Sequence, residues 1–319
     1  MFNHRNRIAM IVAAVGVAFL LVGSPVREAK GDFTLWLDDQ LTVNTVQNAG
    51  MLYDWSQVHV VSGGSVGRIS AFHYSIVDVS GGTVGSGGFE STVYAYDSST
   101  VNISYGSVAA LTATNSSTVN ICGGSVGGWL NAFNSSTVDI SGGSVGGLYA
   151  RDSSSVDISG GSVGGLGPNA YACDSSSLDM SGGSVSNLYA SNSSSVDISG
   201  GSISGSLYAS DSSTVTLVAR NFRLGVGLSL DGDRVLGTGH LGGEWLDGTR
   251  WMMNIGTNAP GATILASVPS PGDANGDGLV DVGDLGILGT NYGKVSGATW
   301  ATADFTGDGA VDVGDLAVR

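Results

Sequence analysis

The stretch Asn134-Ser135-Ser136-Thr137-Val138-Asp139-Ile140-Ser141-Gly142-Gly143-Ser144-Val145-Gly146-Gly147-Leu148-Tyr149-Ala150 decides the fold, because the chain repeats it. Between about Val58 and Leu217 it recurs with small variations. Its Gly-Gly pairs start at Gly63, Gly81, Gly123, Gly142, Gly160, Gly182 and Gly200, with Tyr105-Gly106 standing in for one. Successive spacings are 18, 24, 18, 19, 18, 22 and 18 residues. A base period with occasional insertions indicates a solenoid whose extra residues bulge out as loops. One such unit cannot close a core alone, whereas stacked units bury one continuously.

Inside a unit, Val196 and Ile198 flank Asp197, and Leu188 and Ala190 flank Tyr189. This period-two alternation marks short strands with one face inward. Val185 or Ile203 supplies a third inward side, and Gly-Gly or Asp/Asn-Ser-Ser turns make the corners. The expected fold is therefore all-β, a parallel β-helix (β-solenoid) of ~18-residue coils. The coil length also suits a left-handed hexapeptide helix, but the strict hexapeptide pattern is absent and insertions occur, which favours the right-handed form.

Stacking turns repeat positions into rows about 4.8 Å apart. One row, Asp97, Asn115, Asn134, Asp152, Asp174, Asn192 and Asp211, falls at a corner. A second, Asp78, Asn102, Asn120, Asp139, Asp157, Asp179 and Asp197, points outward between core residues. A third holds Tyr94, Tyr149, Tyr171, Tyr189 and Tyr208, interrupted by Thr112 and Asn131. Each row has two readings. The structural one is turn chemistry, a solvated face and stacked covering side chains. The functional one is a repetitive ligand face, in which Tyr149, Tyr171, Tyr189 and Tyr208 offer platforms to sugar rings beside a carboxylate stripe.

The 319 residues include 52 glycines and carry 12 Lys+Arg against 27 Asp+Glu, a net charge of −15. That balance excludes nucleic acid and anionic membrane surfaces as expected partners. Arg5 and Arg7 precede an apolar run from Ile8 to Val22 that ends in Gly23 and Ser24, the pattern of an export signal over residues 1–30. The run is short for a membrane span, so the mature protein is expected outside the cell or at its surface, with no membrane segment after signal removal. Cys122 replaces a serine before Gly-Gly, and Cys173 lies in a Tyr-Ala-x-Asp stretch on a different edge more than two repeats away. That separation exceeds the roughly 7 Å Cα limit of a bridge, so two free, packed thiols are expected.

From about Arg220 the repeat stops and bulky residues arrive, among them Phe222, Trp245, Trp251, Met252 and Met253. A solenoid exposes strand edges and apolar core at its ends, so a β cap is expected there. The organisation expected is an N-terminal cap at 31–57, repeats at 58–218, a C-terminal cap at 219–266, a stiff linker at 267–271 through Pro269 and Pro271, and a small α module at 272–319.

That module carries one acidic loop twice. Asp273, Asn275, Asp277, Asp281 and Asp284 stand at loop positions 1, 3, 5, 9 and 12, with Gly278 at position 6. Asp304, Thr306, Asp308, Asp312 and Asp315 repeat the pattern around Gly309. Calcium takes six to eight hard oxygens, and position 7 adds a backbone carbonyl, from Leu279 and Ala310. The hydroxyl of Thr306 is the weaker donor, so the first loop is expected to bind Ca2+ more tightly.

The paired Asp-x-Asn-x-Asp-Gly-x-Val-Asp-x-x-Asp-Leu pattern resembles a type I dockerin, the calcium-folded module that docks secreted proteins onto cohesins. The resemblance implies Ca2+ as cofactor and a cohesin-like or cell-surface protein as partner. Cohesin docking in that family leans on loop positions 10 and 11. Here these are Val282, Gly283, Val313 and Gly314, not the family's common hydroxyl pairs, so calcium binding carries over and a specific cohesin does not. The family follows its second loop with a full helix. Only four residues follow Asp315, so a truncated or incomplete module is expected. Signal, Val-Asp-Ile-Ser-Gly-Gly repeats, cap and acidic tail together resemble planctomycete-type secreted repeat proteins.

Dockerins commonly tag carbohydrate-active enzymes, and β-helices host glycosidases and polysaccharide lyases. Glycoside hydrolysis needs two carboxylates in distinct environments. The repeat carboxylates are interchangeable copies, and Glu90, Asp231, Asp233, Glu244 and Asp247 form no recognisable pair. His59, His73 and His240 are isolated. The residues therefore favour a non-catalytic structural or adhesion role, with polysaccharide binding or breakdown as the alternative.

Overall fold

In a computed structural model, which describes residues 31–85, 93–165, 169–276 and 279–316, the chain forms a β-solenoid of about nine coils. The expected export signal and Glu90 lie outside the described residues. Among the described residues no helix is long and apolar enough to cross a membrane.

Each coil contributes up to three short strands, and like strands of successive coils pair in parallel. Thr118–Ile121 pairs with Thr100–Val108 behind it and Thr137–Ile140 ahead, Val119 facing Val101 and Val138. Ser155–Ile158, Ser177–Met180 and Ser195–Ile198 continue that ladder. The Val-x-Ile strands stay in register across the longer repeats, whereas the 19-residue repeat shifts register between Val126 and Trp129 and the 24-residue one after Val79.

The alternation read from the sequence sets the inside. Val156, Ile158, Val163, Val196, Ile198 and Ile203 are buried, whereas Asp157 and Asp197 between them are exposed. Burying such a side chain is worth about 1.5–3 kcal/mol, and the Val/Ile rows repeat that gain in every coil.

Two corner devices let the chain turn. Asp97, Asn115, Asn134, Asp152, Asp174, Asn192 and Asp211 all sit in the left-handed region, with φ between 56° and 60°. Asn and Asp tolerate that conformation best among residues with a Cβ. The serine two residues on is buried at every such corner from Ser99 to Ser213, and Ser176 and Ser213 each donate a hydroxyl hydrogen bond of 2.8 Å to the carbonyl three residues back. At the other corner Gly143, Gly161, Gly183 and Gly201 have φ of 69–76° and press on the carbonyls of the coil beneath.

The ladder starts earlier than the sequence indicates. Residues expected to cap the N-terminal end already form coils, since Phe33–Leu35 pairs with Gly50–Leu52 and Gln40–Val43 with Gln57–Val60. Their inward alternation is the same, but their corners carry Leu37, Asp54 and His73 flanked by aromatic residues in place of serines. Phe33, buried, fills the space that a Cβ on Gly50 would occupy.

At the other end antiparallel strands Arg220–Leu224, Gly239–Glu244 and Arg250–Asn258 interrupt the solenoid. It then makes one more pass, Thr263–Ser267 pairing in parallel with Thr214–Val218. Trp245, 2% exposed, plugs the end of the core and donates its indole N–H to the Gly201 carbonyl at 3.0 Å. Beyond Ser267 a small unit holds helices Val282–Asn291 and Val313–Leu316 around buried Ala274, Leu288, Ala303 and Val311.

Both cysteines are free, as expected, but only Cys173 is packed. Cys122 is exposed because its repeat position is the outward serine before Gly-Gly.

Candidate functional site

Among the described residues the two acidic loops share the same hydrogen bonds at positions 1, 9 and 12. At position 12, Asp284 Oδ1 accepts from the Ala274 and Asn275 amides at 2.8 and 3.2 Å, and Oδ2 from Asp281 at 2.8 Å. Asp315 does the same with Phe305, Thr306 and Asp312, at 2.8, 3.0 and 2.9 Å. At position 1, Asp273 and Asp304 each accept from the glycine three residues on, Gly276 and Gly307, at 2.7 Å. At position 9, Asp281 and Asp312 cap the following helix through Gly283 and Gly314.

The carboxylates at positions 1 and 12 are buried in both loops, at 1–3% exposure. Burial raises the carboxyl pKa of Asp284 and Asp315, but the amide hydrogen bonds outweigh it and hold both below the usual carboxylate range. Neither joins an ion pair among the described residues. Ionised, buried oxygen donors without a basic side chain suit a hard cation in chemistry.

Convergence is partial. Thr306 Oγ1 lies 3.4 Å from Asp304 Oδ1, and Asp315 is tied to the same turn. Asp308 bonds the Ala310 amide at 2.8 Å, and Asp312 serves its helix. Among the described residues no three acidic, imidazole or thiol groups gather on one point. Asp277 and Gly278 lie outside the described residues.

In the outward carboxylate row the register runs His59, Asp78, Asn102, Asn120, Asp139, Asp157, Asp179, Asp197 and Thr216. Its first part is complementary. His59 lies 3.0 Å from Asp78, Asn102 donates to Asp78 at 2.7 Å, and Asn120 donates to Asn102 at 2.8 Å. Its second part stacks four aspartates. Burial, then the hydrogen bond with Asp157 and its charge, raises the Asp139 pKa. Burial and the charge of Asp197 raise that of Asp179, against a hydrogen bond with Asp157 that lowers it.

A folded pKa above the unfolded one means that the folded chain holds protons the unfolded chain releases. That contribution is complete below the ordinary carboxylate range and is lost as pH rises through the raised values. Asp157→Asn places an amide donor where Asn102 and Asn120 have theirs. It should raise Tm at pH 7 by about 2–4 °C, for roughly 1 kcal/mol, and by much less at pH 4. Thermal melts at the two pH values check this, and an equal gain at both would contradict it.

The tyrosines expected as platforms stack on one another. Tyr171 and Tyr189 lie 4.8 Å apart at 15°, Tyr189 and Tyr208 4.4 Å apart at 4°, and Tyr149 meets Tyr171 edge-on at 5.6 Å. Coil spacing equals ring-stacking distance, so the facing rings of Tyr171, Tyr189 and Tyr208 cover one another. A different aromatic group, missed in the sequence because it lies in the irregular coils, is more open. Trp36, Tyr53, Phe72 and Tyr96 stack in series at 4.2–5.0 Å. Beside them Trp55 and Tyr74 stack at 4.5 Å and are 63% and 52% exposed. Past Tyr74 the row becomes Ser98 and Ser116, so its outer ring face overlooks small side chains.

A concavity of about 380 Å³ in the cap is lined by Arg223, His240, Arg250 and Trp251 but by one carboxylate, Glu244, held 3.0 Å from Arg220. That gives a base no partner acid.

No family model, curated protein or solved structure matches the chain.

Proposed function

We propose that this chain is a secreted, non-catalytic rod of structural or adhesion type, whose dockerin-like C-terminal module binds calcium and attaches it to an extracellular assembly. The duplication of the two acidic loops, with the same hydrogen bonds at positions 1, 9 and 12 among the described residues, carries the reading. Asp273, Asn275, Asp277, Asp281, Asp284 and the Leu279 carbonyl would hold one Ca2+. Asp304, Thr306, Asp308, Asp312, Asp315 and the Ala310 carbonyl would hold a second. Attachment is supported by apolar side chains repeated at equivalent places: Val282 and Val313 are 81% and 69% exposed, Leu285 and Leu316 59% and 50%. Patches of that kind mark partner surfaces. A non-catalytic rod is supported by the row carboxylates, which recur at one register position in successive coils. Calorimetric titration of the full chain with calcium chloride should show two sites, the first loop the tighter. Heat no greater than dilution would end the calcium reading.

The exposed Trp55–Tyr74 pair favours a second reading, polysaccharide binding. Affinity electrophoresis on a glycan panel should then show retention that a Trp55→Ala/Tyr74→Ala variant loses and Tyr189→Ala keeps. Release of reducing sugar would point instead to a glycosidase or lyase.

A further inference from the structure

We infer that the outward face of the C-terminal cap is a binding site for an acidic sugar, whose carboxylate is held by the Arg223 and Arg250 guanidinium groups.

The cap is where this acidic chain gathers positive charge. The net charge is −15, yet four of the seven Lys and Arg among the described residues, Arg220, Arg223, Arg234 and Arg250, fall between 220 and 250. Strand register sets three of them on one surface. Residues directly opposite each other in an antiparallel pair share a face, and so do alternate residues of a strand. Arg223 lies opposite Gly242, which lies opposite Met252, and Arg220 lies opposite Glu244, which lies opposite Arg250. Both rows therefore face the same way. That way is outward, because Leu241, Trp245 and Met253, which alternate with them, are buried.

Charge on this face is unbalanced. Glu244 accepts from Arg220 at 3.0 Å, so these two offset each other. Arg220 is engaged further, over the Trp300 ring at 5.2 Å, at the junction where the Ala301 amide donates to the Leu246 carbonyl at 3.0 Å. Arg223 and Arg250 join no ion pair among the described residues. Asp247, the acid nearest to Arg250 in sequence, bonds the Thr249 amide at 2.8 Å. Two positive charges are left on the walls of the 380 Å³ concavity.

The lining selects among anions. Gly242 has no side chain, so the central strand is open between Arg223 and Met252. The two arginines stand on the outer strands of three, about 10 Å apart across the sheet, and their paired N–H donors match carboxylate oxygens. Met252, 70% exposed, and Leu224 offer an apolar flank, while Asn221 and His240 offer polar partners to hydroxyls. A ring with one carboxylate and several hydroxyls meets all of these. A dense polyanion would instead meet the acidic surface of the rest of the chain. Trp55 and Tyr74 belong to the first coils, so the polysaccharide reading above neither requires this site nor falls with it.

Titration of the full chain with glucuronate, glucose and cyclohexanecarboxylate tests the inference, read at the Nε–Hε resonances of Arg223 and Arg250. Glucose lacks the carboxylate, and cyclohexanecarboxylate lacks the hydroxyls. Glucuronate should shift both resonances to saturation and bind about tenfold more tightly than either. Arg223→Gln and Arg250→Gln should each weaken glucuronate binding by about fivefold or more, through loss of a charge-assisted pair. Both should melt with the wild type, since both side chains are exposed. Arg151→Gln, out on the solenoid, should bind as the wild type does, and added salt should weaken binding severalfold. Resonances unmoved by glucuronate, equal affinity for any two of the three ligands, or affinity unchanged in both cap variants would each overturn the inference.

Discussion

Gly161→Ala should lower the melting temperature of the solenoid by about 6–12 °C, for a loss of roughly 3 kcal/mol. Gly161 has φ +69°, and a Cβ there would lie 2.7 Å from the carbon and oxygen of the Gly142 carbonyl and 2.8 Å from that of Gly143. The left-handed conformation alone costs an alanine about 1–2 kcal/mol. The crowding adds about 1–3 kcal/mol, because the opposing atoms are backbone and cannot swing aside. Gly165→Ala is the control. Nothing lies within 4 Å of its Cβ position, so a change within about 0.5 kcal/mol is expected. Thermal melts by circular dichroism check both. A Gly161→Ala variant that melts with the wild type would mean that the coils do not stack at this corner.

Asp284→Ala should remove most of the calcium-induced helix signal of the C-terminal module and its tighter binding event. The substitution deletes a proposed ligand and also the acceptor of three amides, at 2.8, 3.2 and 2.8 Å. Each donor left buried without a partner costs about 1–3 kcal/mol. A unit with four buried apolar residues at its centre, Ala274, Leu288, Ala303 and Val311, has little to offset that. Asp308→Ala should cost much less, since Asp308 is exposed and bonds one amide, that of Ala310. Calorimetry with far-ultraviolet dichroism in calcium and in chelator reads both. Equal losses from the two variants would contradict this expectation.

The solenoid was legible because its signal is local and repeated. Val156-Asp157-Ile158 carries its own alternation, and the Gly-Gly spacing fixes which residues meet. The N-terminal coils were not legible as coils. Their corner positions hold Trp36, Tyr53, Trp55, Phe72 and Tyr74, which hide the Asp-Ser-Ser pattern while keeping the same backbone turn at Asp54 and His73. The tyrosine row was found, but the consequence of its spacing was not. Side chains repeated at coil distance are already at ring-contact distance from each other, which the sequence position alone does not state.

The acidic loops were legible as motifs. Their burial of Asp273, Asp284, Asp304 and Asp315 depends on amides folded back from within the same loop. The junction through Arg220, Leu246 and Trp300 was invisible, because it joins residues far apart in sequence that belong to no repeat. A Pro-containing segment at 267–271 reads as a spacer, yet the module beyond it lies against the cap.

The likeness of successive coil-to-coil junctions in the regular repeats makes this protein adjustable in length. Val138 meets Val156 as Val101 meets Val119, so removing or doubling one whole repeat reproduces contacts that already exist. Unequal recombination between near-identical gene segments would shorten or extend the rod in steps of about 4.8 Å. Each step leaves both ends untouched, so reach can change without any new interface having to evolve.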